Sequence, residues 1–237
     1  MAVEKKLTPQ ALVKAGLNKA LEAQYPIAVE NVARLRRVHP HKSPAELISF
    51  LNKVYLGAVT TTGAGAGAAA IVPNGWVQVP VAAADLLAFL EASVLYVLSV
   101  AEIYGVDVED TERRKFLVAA ALVGNSAMTA TVDPLLARTA PYWSKKIIQS
   151  IPMSTIKAAN KVLGPNFITK YGTKQGLLVL GKQIPMAIGV VVGAGGNHAF
   201  GWLIIKAARK NLGTAPTSWD ERGEEELLVV SEGGSDD

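Results

Sequence analysis

Between Lys53 and Asp85 the chain carries no charged residue, so residues 54–84 form an uninterrupted uncharged span of 31 positions. A span of that length, dense in alanine and glycine, excludes a solvated surface element and asks to be buried in protein or lipid. Its middle reads TTTGAGAGAAAIVPNG, residues 60–75. Two structures could use such a run: a glycine loop cradling phosphate, or a helix face made smooth for close packing.

The loop reading has a formal match. Gly63, Gly65 and Ala68 satisfy the loose dinucleotide-binding spacing, with Asp85 about twenty residues on, where a ribose-binding acid would stand. The context fails, because Pro73-Asn74-Gly75 signals a turn before the required helix could form, and Asp85 sits inside a helical run. The second glycine stretch, IGVVVGAGGNHAFGW, has only one helix and an acidic tail after it, so no βαβ unit can be completed. The spacing there is four: Pro185, Gly189, Gly193, Asn197 and Gly201 fall on one stripe of a helix, and Gly63 and Gly67 share that interval. Small residues four apart let another backbone come close. Each glycine costs a helix about 1 kcal/mol relative to alanine, so tight packing must offset it. The glycines, Gly65 included, therefore read as helix-packing or lipid-facing positions.

The rest of the chain reads as all-α. Thr8-Pro9 opens a helix through Leu12, Leu17 and Leu21, and a second short helix runs from Val29 to Arg36-Arg37. HPHKSP is a break, and Ser43-Pro44-Ala45-Glu46 is a capping box starting a helix that carries Leu47, Ile48, Leu51, Val54 and Tyr55 into the glycine-rich stretch. After Pro80 an almost wholly apolar helix runs to Gly105, and Asp110-Thr111-Glu112 starts the next, continuing to Asp133-Pro134. Residues 143–180 read as shorter helices cut by Pro152, Gly164-Pro165, Gly172 and Gly176, and Pro185 opens a last helix to about Leu212. The expected architecture is an Ala/Gly-rich helical bundle over residues 1–212. It contains a long apolar helical hairpin turning at Pro73-Asn74-Gly75, and residues 213–237 follow as a disordered acidic tail. Each hairpin arm is about 18 residues or fewer, short of the ~20 that a full crossing takes.

Charge divides along the same boundary. Residues 1–212 hold 23 Lys/Arg against 12 Asp/Glu, whereas residues 213–237 hold one Arg against eight acids. A basic, apolar body (mean hydropathy +0.25) favours anionic partners. Basic clusters at Arg34, Arg36, Arg37 and Lys42, at Arg113, Arg114 and Lys115, and at Lys145-Lys146 suit an anionic membrane surface or ordinary solvated helix faces. Aromatic residues are 6% of the chain and do not interleave with them, which argues against nucleic acid. With no cysteine there is no disulfide, thiolate metal site or cysteine nucleophile, which fits a reducing compartment. The first residues have no apolar run behind their lysines, so no secretory signal is expected and the cytoplasm, at the inner face of the membrane, is the expected location.

At the two glycine stretches the chain resembles the EcsC family of bacterial proteins. Gly63, Gly65, Gly67, Pro80, Asp85 and Tyr104-Gly105 carry the likeness on one side. Pro185, Gly189, Gly193 and Asn197, leading to Ala207-Ala208-Arg209-Lys210, carry it on the other. It covers roughly residues 45–212. The resemblance implies an Ala/Gly-rich helical protein working at or near the membrane, and brings no catalytic residue with it.

Polar groups in apolar surroundings are the remaining candidates. Asp85, Glu91 and Glu102 lie in the long apolar helix, Glu91 and Glu102 on one face and Asp85 on another. A carboxylate there needs a partner, and for Asp85 the candidates are Lys182, Lys206, Asn197 and His198. Asp85, Glu102 and His198 could serve an enzyme of unknown reaction or, more plainly, fix helices to one another. His39 and His41 lack a third metal ligand nearby, no Ser-His-Asp arrangement or G-x-S-x-G elbow appears, and no cofactor or metal is expected. In the tail, Leu227, Leu228, Val229 and Val230 follow three glutamates in the form of a docking segment, so a soluble scaffold or cargo protein binding a larger assembly is the alternative to a lipid-binding one.

Overall fold

The structure, a computed structural model, describes residues 9–69, 75–123, 151–169 and 187–219. Within them the chain is all-α, with six helices and no strand: α1 (Pro9–Val38), α2 (Pro44–Ala69), α3 (Gly75–Ile103), α4 (Thr111–Val123), α5 (Met153–Thr169) and α6 (Ala187–Leu212). Helix α3 is the axis of the core, packing between α1 and α2, while α6 lies along α2 and α5 lies against α4. Phe89, Leu90, Val94, Leu98 and Ile103 of α3 are almost fully buried. Residues Asp85–Ile103 are long and apolar enough to cross a membrane, yet 67% of that segment is buried inside the protein, as in the central helix of a bundle.

Helix ends follow local chemistry. Ser43 accepts from the Glu46 amide (3.3 Å) and its own amide donates to Glu46 Oε2 (2.8 Å), the reciprocal pairing of a capping box. Asp110 Oδ1 accepts from the amides of Glu112 and Arg113, both at 2.9 Å, and so starts α4. Gly105 (φ 69°) caps helix α3 two residues past its end. The Val106 amide reaches Ala101 O and the Gly105 amide reaches Glu102 O, both at 3.0 Å, which closes the last turn around a left-handed residue.

Three expectations need correction. The two helices expected before His39 are one, α1, which passes through Pro26. Leu21, Ala28, Val32 and Leu35 are buried on both sides of that proline, so packing against α3 outweighs the hydrogen bond it removes. The long apolar helix begins at Gly75 and contains Pro80 rather than starting after it. Gly164-Pro165 does not cut α5, which continues to Thr169. Val54 is 51% exposed, because the buried row of α2 runs in steps of four (Leu47, Leu51, Tyr55, Val59) and leaves Val54 on its flank.

The last helix ends at Leu212, as the sequence suggests. Residues 213–219 form neither helix nor strand, but they are tied to the body. Tyr104 OH donates to Gly213 O (2.9 Å), Trp219 Nε1 donates to Lys42 O (2.8 Å), and the Arg36 guanidinium lies 4.2 Å from the centre of the Trp219 ring. The remainder of the expected tail, residues 220–237, lies outside the described residues.

Candidate functional site

The seam between α2 and α6 brings together several of the residues that the sequence singled out. The helices run antiparallel: Gly201 faces Tyr55, Leu56 and Val59, while His198, one turn earlier on α6, meets Thr60, further along α2. A methyl group on Gly201 would stand 2.9 Å from Val59 Cγ2 and 3.2 Å from Leu56 Cδ2, so the two helices approach closely at this glycine. Gly63, Gly65 and Gly67 lie in the last turns of α2, and Gly189 and Gly193 in the first turns of α6. A helical backbone at Gly63–Gly67 leaves no phosphate-cradling loop there. Pro185 and Lys182 lie outside the described residues, as do Lys145-Lys146 and the docking run Leu227, Leu228, Val229 and Val230.

At the inner edge of the seam, Asn197 Nδ2 donates to Asp85 Oδ1 at 3.2 Å, with both residues buried. Of the four partners considered for Asp85, Asn197 therefore supplies a contact, and Lys206 points away, its Nζ 5.2 Å from the centre of the exposed Trp202 ring. At the outer edge, Thr60 Oγ1 donates to Leu56 O (2.6 Å) and so uses its single proton. The His198 Nδ1, 3.1 Å away, is then the donor to Thr60 Oγ1. Thr61 and Thr62 donate to the carbonyls of Gly57 and Val59, so the three threonine hydroxyls are turned back on their own helix.

Glu102 does not join this group. It lies seventeen residues from Asp85 on α3, which at about 1.5 Å per residue is ~25 Å along the axis. The two carboxyls cannot act on one substrate atom. Glu91 is exposed, and His39, edge-on to Phe50 at 5.5 Å, serves packing. No group of three His, Cys, Asp or Glu residues able to hold a metal occurs among the described residues.

The basic residues divide by burial. Arg34, Arg36 and Arg37 are exposed on the last turns of α1, Arg34 bonded to Asn31 and Arg36 stacked on Trp219. Arg113 is half-buried, and Lys115 pairs with Glu112 at 3.0 Å. Arg114, expected at a membrane surface, is buried. Its guanidinium donates to the carbonyls of Val108, Leu21 and Glu109 at 3.0, 3.0 and 2.8 Å and lies 4.2 Å from the Tyr25 ring centre. Five fixed N–H donors suit a loop whose carbonyls have no helical partners, and Arg114 ties that loop to α1. Charge counting cannot see this role.

Two sites escaped sequence reasoning. One is the exposed side of α6, where Trp202 (51%) and Leu203 (48%) stand in solvent beside Gly195, Ala199 and Lys206. The other is a basic cavity between α1, α4 and α5, whose residues are scattered along the chain. Comparison of the chain with family models, with curated proteins and with solved structures finds no match in any of the three.

Proposed function

We propose that this is a non-enzymatic helical protein that binds an anionic membrane surface or its lipid from the cytoplasmic side, through the outer face of the α2–α6 pair. The observation that supports this most directly is the exposed Trp202-Leu203 pair, with Lys206 reaching over the Trp202 ring. Tryptophan favours the membrane–water boundary, where its ring meets acyl chains and its N–H stays wet, and a neighbouring lysine can extend to headgroup phosphates. Apart from Glu46 in the first turn of α2, neither helix carries a carboxylate, so nothing on this pair repels anionic lipid. The apolar surface of α3 is already spent on the core, which favours shallow surface insertion over a permanent span. The resemblance of the glycine stretches to the EcsC family points in the same direction.

The test is flotation of the full-length protein with anionic liposomes, in low and in high salt. Apolar insertion predicts flotation that persists in high salt and is lost in the Trp202→Ser/Leu203→Ser double variant, which changes only exposed positions. Absence of flotation by the unaltered protein overturns the reading.

A further inference from the structure

A cavity of about 480 Å³ opens between α1, α4 and α5, within the size range of small-ligand sites. Each helix presents one face to it. Helix α1 contributes Lys14, Leu17 and Leu21, α4 contributes Glu112 and Lys115, and α5 contributes Lys157, Asn160 and Lys161. Leu21 is buried and Leu17 partly buried, so apolar side chains of the core border the cavity beneath a basic rim.

The rim is unbalanced. Its one carboxylate, Glu112, is already engaged, by Lys115 Nζ at 3.0 Å and by Asn160 Nδ2 at 2.8 Å. Lys14, Lys157 and Lys161 are exposed and make no ion pair among the described residues. Lys157 and Lys161 stand one turn apart on the same helix face, a like-charged pairing that disfavours the helix slightly unless an anion lies between them. Asn160 Oδ1, buried beside the cavity, has no hydrogen-bond partner among the described residues. Its Nδ2 also holds the Glu112 carbonyl at 2.9 Å, which fixes α5 to α4 and with it the spacing of the lysines.

The geometry points to a binding site for a phosphate ester: the lysines of three helices converge on the phosphate, and Leu17 and Leu21 receive the apolar part of the ester. Several mobile ammonium groups suit a dianionic phosphate, which each approaches as a point charge, better than a single carboxylate. The chemistry is common to a lipid headgroup and to a soluble phosphate ester. The site uses helices other than the α2–α6 face, so it stands or falls independently of the membrane reading.

Isothermal titration of the full-length protein with monodisperse dihexanoyl phosphatidic acid, and separately with glycerol 3-phosphate, tests it. Saturable binding of at least one is expected, weakened about tenfold or more in Lys157→Glu/Lys161→Glu and unchanged in Lys53→Glu, an exposed lysine on α2. Tighter binding of the acylated probe identifies a lipid as the source, and equal binding identifies a soluble ester. Lys14→Glu, on a different helix, repeats the test should the double variant not melt cooperatively. Saturation by neither probe, or an equal loss in Lys53→Glu, overturns the site. Retention of titratable binding in Trp202→Ser/Leu203→Ser separates it from flotation.

Discussion

Asn197 on α6 reaches Asp85 on α3 across 3.2 Å in the interior of the bundle, joining residues 112 positions apart in the chain. The contact fixes the rotation of α6 about its axis, because a turn that hides Asn197 also sets Gly201 against Val59 and leaves Trp202 outward. A buried polar pair of this kind selects one register among several that apolar packing alone would allow, and here it determines which face of α6 meets solvent.

Asn197→Ala removes the donor while Asp85 stays buried, and a hydrogen bond lost to a buried charged group costs about 1.5–3 kcal/mol. Asp85→Asn keeps the acceptor oxygen and the shape, so its loss is expected to stay under about 1 kcal/mol. Urea unfolding midpoints measure both. Equal losses would show that the carboxylate of Asp85, and not its hydrogen bond from Asn197 alone, holds this part of the bundle.

The glycines of one helix pair are expected to respond with opposite signs. Gly57 and Gly195 have nothing within 4 Å of an added methyl group. Their alanine variants should gain about 0.5–1 kcal/mol from backbone entropy alone. At Gly201 the same methyl meets Val59, a buried β-branched side chain with little freedom to move, at 2.9 Å. Gly201→Ala should therefore lower the melting temperature despite the better helix former, and Gly201→Val should lower it further. A uniform rise across the three alanine variants would remove the close-packed seam.

The helix class and most helix ends were legible in the sequence because caps are local: Ser43 with Glu46, Asp110, and Gly105 each act within a few residues of themselves. The four-residue spacing of Asn197 and Gly201 was legible for a similar reason, since a helix converts spacing into a face. What escaped was tertiary. Pro26 and Gly164-Pro165 carry breaking signals that neighbouring helices override. Arg114 counts as surface charge until the loop it serves folds over it, and Trp219 counts as tail until Arg36 and Lys42 hold it. The basic cavity draws on residues 14 to 164, so no window of sequence contains it.

Acid should loosen the helix starts before the core. Hydrogen bonds from the Ser43 amide and then its hydroxyl hold the Glu46 carboxyl below its ordinary value, and those from Asn160 and then Lys115 do the same for Glu112. For a carboxyl depressed in the folded state, the stabilisation is fully present above the unfolded value, about 4.3, and disappears as pH falls through the lower folded value. Glu46 is exposed and Glu112 partly exposed, so the change is small and screened by salt. Thermal melts at decreasing pH should show Tm falling from about pH 4.5 downward, less steeply in Glu46→Gln/Glu112→Gln. An identical slope in the double variant would assign the acid sensitivity to other groups.

Two buried serines on α3 give the sharpest contrast. Ser93 Oγ donates to Phe89 O (2.6 Å) and lies 2.7 Å from the Tyr55 hydroxyl, which donates to it because the serine proton is already used. Burial pushes the Tyr55 phenol well above its ordinary pKa, so it remains a neutral donor. Ser93→Ala strands that donor in the core, stacked 4.5 Å from Tyr96, and is expected to cost about 1–3 kcal/mol. Tyr55→Phe/Ser93→Ala should recover much of the loss, since both polar groups then leave together. Ser99, buried on the same helix, has no partner for its hydroxyl among the described residues, so Ser99→Ala removes only an unsatisfied group and the better helix former should leave stability unchanged or raised. Chemical denaturation of the three variants decides the matter: a loss in Ser99→Ala equal to that in Ser93→Ala would mean that hydroxyl also holds something in place.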